Sequence, residues 1–350
     1  MSSFYALFLF GLAFVVLPFG TSWHEIPKVV VALLSIALLS ILFFWKGESW
    51  KKISVTFQTK IALGGLGILS IFGFLTEHTD TTFLGNAFRM QGVFLLWALL
   101  LWSIISPILT THKKRRLFAC IAILGTLLIA LTGRLDGAGR AVGAVGEANS
   151  LGAYTLFVLP LTQTPFALVP AIALIFLSGS RSALIGLVAQ GIILIGSKRF
   201  RLGWTVAVAS LFLTVTLLLP FVDTKQEFDS RATIWQTALQ AGMEKPIVGW
   251  GVGNTEVGLQ HAAQTLHNSV RFQYVDSSHN VFLDWWVQGG IIGLTFFSSV
   301  VGMTVIGLVR KKDIVLLASF FGILTVMLFN PVSVSILVPF WWIVGVGNKK

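Results

Sequence analysis

Charge is what this sequence has least of. Only 11% of its 350 residues are charged and 55% are hydrophobic, whereas a soluble domain carries about 25% charged residues. Apolar runs of roughly 17–25 residues recur along the whole chain, the pattern of a polytopic helical membrane protein. Cysteine is almost absent: Cys120 is alone, in an apolar run, so no intramolecular disulfide can form. No internal repeat, low-complexity segment or long hydrophilic tail is visible, and residues 1–350 read as a single membrane domain. No Lys or Arg precedes the first apolar run at residues 4–20 and no clear small-residue cleavage site comes after it, so it reads as a retained span rather than a signal peptide.

What is present is about twelve candidate spans, near residues 4–20, 27–45, 61–75, 89–109, 117–132, 149–162, 165–178, 181–196, 203–221, 280–309, 314–329 and 332–347. The two short runs at 149–162 and 165–178 read either as separate spans or as a broken or re-entrant helix, which is tolerated at membrane depth only when packed inside protein. The net charge of +11 would suit nucleic acid, but it is sorted by side. With a cytoplasmic N-terminus, Lys46, Lys51, Lys52, Lys60, Lys113 to Arg116, Lys198, Arg199, Arg201, Arg310 to Lys312, Lys349 and Lys350 all fall inside. That side holds sixteen basic and two acidic residues, the outer side nine and twelve. Positive-inside sorting accounts for the excess and excludes a nucleic-acid partner. Both termini are expected to be cytoplasmic.

The unusual residues collect on the outer side. A large extracytoplasmic loop, residues 222–278, is expected between spans nine and ten, folded rather than disordered because it carries aromatics, periodic apolar residues and turn signals. Within it Asp229 or Ser230 is expected to cap a helix over residues 231–241, with an apolar stripe of Ile234, Trp235, Ala238 and Leu239 and stop signals at Gly242 and Pro246. This helix is expected at the membrane surface, with Trp235 at headgroup depth. Gly249-Trp250-Gly251-Val252-Gly253-Asn254 looks like a nucleotide-binding glycine loop, but no βαβ unit surrounds it, and it reads as a tight turn.

Four arginines lie on this face. Arg181 sits between two apolar runs joined by almost nothing, where a guanidinium is expensive unless it faces a cavity or partner. Arg89 opens span four, Arg140 precedes the apolar residues that lead to Asn149, and Arg231 opens the loop helix. Arg89, Arg140 and Arg231 each alone suit a structural interface role, whereas Arg181 reads as functional because Gly179 and the flanking serines make room around it; together the four suit an anion site, because guanidinium binds diphosphate oxygens in a bidentate way and keeps its charge. His279, at the crossing from a polar stretch into span ten, can accept a proton near neutral pH, as a general base for an acceptor hydroxyl must. Asp276 or Asp284 could orient the ring. His261, His267, Asp276 and His279 match no zinc spacing. Ser277 and Ser278 lack a nucleophile-elbow sequence. Neither a metal nor a serine-hydrolase site is expected, and no cofactor is implied.

These motifs resemble, in order, those of the bacterial O-antigen ligase and O-antigen polymerase superfamily of membrane glycosyltransferases. The matching pieces are Arg140 to Gly152 before a span ending Leu159-Pro160-Leu161, and Ser178-Gly179-Ser180-Arg181-Ser182-Ala183. Then come Arg231-Ala232-Thr233-Ile234-Trp235 with Pro246 and Gly249-Trp250-Gly251, Ser278-His279-Asn280 with Gly290-Ile291-Ile292-Gly293, and Asn330-Pro331. The similarity covers roughly residues 60–347; the chain is somewhat shorter than many members and lacks the soluble C-terminal extension of some.

The resemblance implies an all-α, GT-C-like helical bundle in the bacterial cytoplasmic membrane. Its active site would face outward. It would transfer a glycan, with inversion and without a metal, from an undecaprenyl-diphosphate carrier to a hydroxyl of a glycan, lipid or protein acceptor, as in lipopolysaccharide or other surface-polysaccharide synthesis. Arg181 and Arg231 would hold the diphosphate and His279 would activate the acceptor; Arg89, Arg140, Asn149 and Asn280 would contribute to binding. Ligase and polymerase are not separable from these residues. A transporter or flippase for an anionic lipid-linked substrate is the rival reading, but it would place ionisable groups at mid-membrane depth, where these spans have almost none.

Overall fold

A membrane leaves a backbone only one way to satisfy itself locally, the helix, and the chain takes it. The computed structural model describes residues 2–18, 20–45, 56–75, 79–108, 112–133, 135–195, 225–267 and 275–348. Among these, the helices are α1 (Ser2–Gly11), α2 (Ile26–Trp45), α3 (Phe57–Gly73), α4 (Thr79–Leu84), α5 (Val93–Ile105), α6 (His112–Thr132), α7 (Ala148–Thr162), α8 (Leu168–Ser178) and α9 (Arg181–Ile195). After them come α10 (Lys225–Glu244), α11 (Thr255–Thr265), α12 (Val281–Arg310), α13 (Ile314–Met327) and α14 (Val334–Asn348). The described residues contain no strand, only an isolated bridge between Leu135 and Ala141.

A helix lies over each expected apolar run except that at 203–221, which falls outside the described residues, as does Arg134. Among the described residues, three helical stretches, in α2, α6 and α12, are by themselves long and apolar enough to cross a bilayer. The paired runs at 149–178 are two helices, α7 and α8, separated by Gln163 in the left-handed region and a short 3-10 turn at Pro165–Ala167. They are not a broken single helix.

α7 is the centre of the bundle. From Ser150 to Thr162 every residue is buried, and the helix packs against α6, α8, α9 and α13. Small residues permit this: a Cβ at Gly152 would lie 2.6 Å from that of Ala183, and one at Gly186 would lie 2.5 Å from Leu156. Such close approach is how helices associate where lipid supplies no hydrophobic drive. Ser319 of α13 adds a hydrogen bond to the Phe157 carbonyl at 3.0 Å, and Gln190 of α9 donates to that of Leu156.

The two ends of α7 define two faces. At its C-terminal end Arg116 donates to the Thr162 carbonyl at 3.1 Å. On the same face Lys114 reaches Ser3, Arg115 lies 5.6 Å over the Trp342 ring, and Lys311 caps the Val346 carbonyl. Basic groups from the start of α6 and the end of α12 therefore share one face, where long cationic side chains can reach water and meet exposed helix-end carbonyls. The N-terminal end of α7, with Glu147, lies at the opposite face, and that is where the unusual residues meet.

The described residues between α9 and α12, 225–267 and 275–280, also fold. α10 begins at Lys225, before the expected cap, so Asp229 and Ser230 lie inside it. Ile234 and Ala238 face the core as expected, but the stripe continues through Ala241 while Leu239 is half exposed. Trp235 is not at a free surface: its ring faces Phe329 at 6.4 Å. α10 and α11 close a small core of Ala238, Ala241, Trp250, Leu259, Ala262 and Ala263 onto Val287 of α12.

α12 breaks where it meets that core. Gly290 has φ 56° and ψ −147°, a conformation open in practice only to glycine. The break frees carbonyls before it and N–H groups after it. Residues 246–251 satisfy both: Trp250 and Gly251 N–H donate to Val287 and Gln288 carbonyls, each at 2.9 Å, and Ile291 and Ile292 N–H donate to Pro246 and Ile247 carbonyls at 2.8 and 3.3 Å. The glycine-rich stretch is thus a plug in a helix break. Gly249 lets its backbone approach, since a Cβ there would lie 2.5 Å from Gln288. Gln288 also clamps the start of α11, accepting from Gly253 N–H and donating to Thr255.

Candidate active site

The N-terminus of α12 is built by hydrogen bonds within Asp276 to Asp284. Asn280 is the N-cap, its Oδ1 accepting from Phe282 N–H at 3.0 Å and Leu283 N–H at 3.4 Å. Asp284, one turn in, reaches back: it accepts from Ser277 Oγ at 2.8 Å and from Ser278 N–H at 2.7 Å. Ser277 Oγ accepts from His279 N–H at 3.1 Å. His279 itself has φ 58°, uncommon for a residue with a side chain. The serines and Asp284 therefore hold the backbone that presents His279, and Ser277 is engaged by a carboxylate rather than set up as a nucleophile.

Asp276, the other acidic neighbour, is engaged by Arg89. Arg89 Nε donates to Asp276 Oδ2 at 2.5 Å, and another guanidinium nitrogen lies 4.0 Å from Glu147. Arg89 is buried. Burial opposes its charge, but Asp276 and Glu147 outweigh that and raise its pKa. Burial also raises the pKa of Glu147, partly opposed by Arg89.

His279 feels this assembly directly. Its pKa is lowered to about 4, first by burial, then by the positive charge of Arg231, with Arg89 adding to the effect and Asp276 opposing it. The imidazole is therefore neutral at pH 7 with a lone pair to offer. Arg231, half buried in the second turn of α10, reaches this neighbourhood because α10 packs along α12.

Arg140 and Arg181 belong to two adjoining motifs beside this assembly. Arg140 bonds Asp136 at 2.8 Å and lies over Gly179, whose missing side chain makes room for its Cδ. Ala141 N–H donates to the Leu177 carbonyl at 2.8 Å, joining the two motifs. Gly179, left-handed at φ 57°, ends α8, and Arg181 opens α9 with its side chain exposed. Asn330 donates to Ser182 at 2.5 Å, while Pro331 and Val332, next in the chain, line a cavity of about 90 Å³ with Arg89, Asp276 and Ser277. Asn149 is half buried in the first turn of α7, two residues from Glu147. Segments 85–92, 140–149, 178–182, 276–284 and 330–333 thus gather at the face opposite the basic clusters.

Residues 166–298 match the family model described as O-antigen ligase. The match supports the O-antigen ligase superfamily. No curated protein matches the chain. The O-antigen ligase match runs from α8 to the middle of α12 and contains Arg181, Arg231, His279 and Asn280; Arg89, Arg140 and Asn149 lie before it. It implies a membrane glycosyltransferase of the O-antigen ligase or polymerase type.

The supports of the site carry no local sequence signal. Nothing near either residue pairs Arg89 with Asp276, which are far apart along the chain. Asp284, a candidate partner for the imidazole ring by its spacing, holds the backbone instead. His261 pairs with Glu244 at 2.8 Å, away from His279. The short helix α11 is a further element that the apolar pattern does not announce.

Proposed function

We propose that the protein transfers a glycan from an undecaprenyl-diphosphate carrier to an acceptor hydroxyl, without a metal, at the outer face of a bacterial cytoplasmic membrane. The chain crosses about twelve times, with both termini cytoplasmic. What supports this reading is the hydrogen-bonded turn of Ser277, Ser278 and Asp284 that presents His279, with Arg231 and Arg89 near enough for their charges to disfavour its protonated form. His279 takes the proton of the acceptor hydroxyl. The oxygen attacks the anomeric carbon and forms the glycosidic bond. The bond from that carbon to the diphosphate oxygen breaks, and carrier diphosphate leaves with the electron pair. Attack opposite the leaving group inverts the anomeric centre. Arg231 and Arg181 stabilise the charge that develops on the diphosphate, fixed dipoles and charges in a dry site being the strongest general source of rate. Arg89, Arg140, Asn149 and Asn280 shape the site.

The test is transfer by the purified full-length protein in lipid, supplied with an undecaprenyl-diphosphate glycan and candidate acceptors. A single round of transfer to a different lipid or polymer identifies a ligase, and chain growth identifies a polymerase. Transfer that survives both His279→Ala and Arg231→Ala would overturn the mechanism.

A further inference from the structure

A second cavity, of about 470 Å³, lies on the other side of Arg89. It is formed by the connection into α2, the 85–92 segment and the start of α7, and its volume lies in the range of about 300–1,000 Å³ typical of small-molecule sites. We propose that this cavity binds the sugar end of the acceptor, an uncharged, hydroxyl-rich ring; this rests on the transfer reading above. Trp23 and Phe88 line it, with half of each side chain exposed (50% and 48%). Flat apolar rings with a negative face suit the C–H face of a pyranose.

The polar wall complements the hydroxyls. One Glu147 oxygen accepts from Ser150 at 2.9 Å, and the other lies 4.0 Å from Arg89, which leaves lone pairs for neighbouring hydroxyl groups. Deeper, Glu25 is 5% exposed: one oxygen accepts from Val334 N–H at 3.2 Å, and the other has no hydrogen-bond partner. Arg89 faces Glu147, and the buried Lys28 lies within electrostatic reach of Glu25 and Glu147, so charges of both signs balance here and the cavity suits an uncharged ligand rather than the donor's diphosphate. The described residues bring no set of three His, Cys, Asp or Glu side chains together for a cation. Arg89 is the shared wall: it lines this cavity and the smaller one containing Asp276 and contributes to the field at His279. A sugar seated here projects its reactive hydroxyl past Arg89 toward the base.

The probe is reducing-end oligosaccharide released by mild acid from the source organism's own surface polysaccharide. Its binding to the full-length protein in detergent is measured by saturation-transfer NMR and equilibrium dialysis. Wild type is expected to bind it, and Trp23→Ala and Glu147→Gln to weaken binding at least tenfold when compared at equal folded fraction. In transfer assays the same variants should raise the acceptor KM and leave the donor KM in place. His279→Ala should bind the oligosaccharide as wild type does while losing transfer, which separates this cavity from the transfer mechanism. No binding by wild type, or equal binding by Trp23→Ala and Glu147→Gln, would overturn the proposal. So would a Trp23→Ala effect confined to partition into lipid vesicles, which would make Trp23 an interfacial anchor only.

Discussion

Arg89 Nε donates to Asp276 Oδ2 at 2.5 Å, tying together two segments 187 residues apart in sequence. The pair fixes the 85–92 segment against the approach to α12, and it does so with a buried arginine. Removing one member of a buried ion pair leaves the other charge uncompensated, at a cost of about 3–5 kcal/mol. Arg89→Ala is expected to approach that cost. Asp276→Ala should cost somewhat less, because Asp276 is more exposed and Glu147 still faces Arg89. The double variant should be more stable than the sum of the two predicts, with a coupling above about 1 kcal/mol. Reversible unfolding in mixed micelles measures all three; strict additivity would mean the pair does not act as a unit.

Burial first, and then two nearby guanidinium charges, disfavour a proton on His279, and its pKa of about 4 sets a pH dependence. A base works only when deprotonated, so kcat/KM, which reports the free enzyme, should be level through neutral pH and fall tenfold per pH unit below about 4. Arg231→Ala removes one of the charges that hold the pKa down. Its acid limb should move upward, toward the ordinary histidine value of about 6.5, while the rate falls on the order of a hundredfold to a thousandfold through loss of leaving-group stabilisation. The profile of the variant, normalised to its own maximum, reads the shift. An unmoved acid limb would separate Arg231 from His279.

How much of this is legible in the sequence depends on what each feature needs. A bilayer demands long apolar runs, so the positions of the described helices can be read directly. His279, Arg181 and Arg231 stand out for the same reason, as polar groups at the edges of apolar runs. The break at Gly290 does not, because residues 281–309 remain apolar across it; only the Gly289-Gly290 pair hints at it, and its physical partner, residues 246–251, looks like an isolated turn. The start of α10 at Lys225 is hidden because Asp229 and Ser230, as good caps, point to a later one. Arg89 with Asp276, and Trp23 with Glu147, are juxtaposed only by the fold.

Asp284 is a positioning residue. It accepts two hydrogen bonds, from Ser277 Oγ and Ser278 N–H, and so fixes the turn that carries His279. Asp284→Asn can accept one of these with its amide oxygen but presents a donor to the other. Small displacements of a reacting group cost on the order of a hundredfold in rate, so Asp284→Asn should lower kcat by roughly that factor with the donor KM nearly unchanged. A role limited to stability would lower the amount of folded protein without that split. The comparison is made at equal folded fraction.

The helix break supports the whole outer assembly and gives the sharpest structural test. Gly290 combines φ 56° with backbone contact: a Cβ there would lie 2.6 Å from the Ile247 carbonyl group. Gly290→Ala therefore meets both strain of about 1–3 kcal/mol and a collision with backbone, which cannot be relieved by a rotamer change. Two relaxations are open to the variant. If α12 straightens, Val287 and Gln288 carbonyls return to the helix, and residues 246–251 lose the partners that hold them. If the break persists, the 246–251 segment must move away from it. Either way the core of Ala238, Trp250 and Val287 loosens, and α10 with Arg231 is no longer held against His279. Gly290→Ala and Gly249→Ala should then share one phenotype: faster proteolysis within residues 242–267, retained helical content and lost transfer. Gly302→Ala, farther along the same helix with open space around its Cβ, should behave as wild type. Proteolysis rates and far-UV circular dichroism on the three proteins decide it, and normal protection of residues 242–267 in Gly290→Ala would show that the plug is not held by the break.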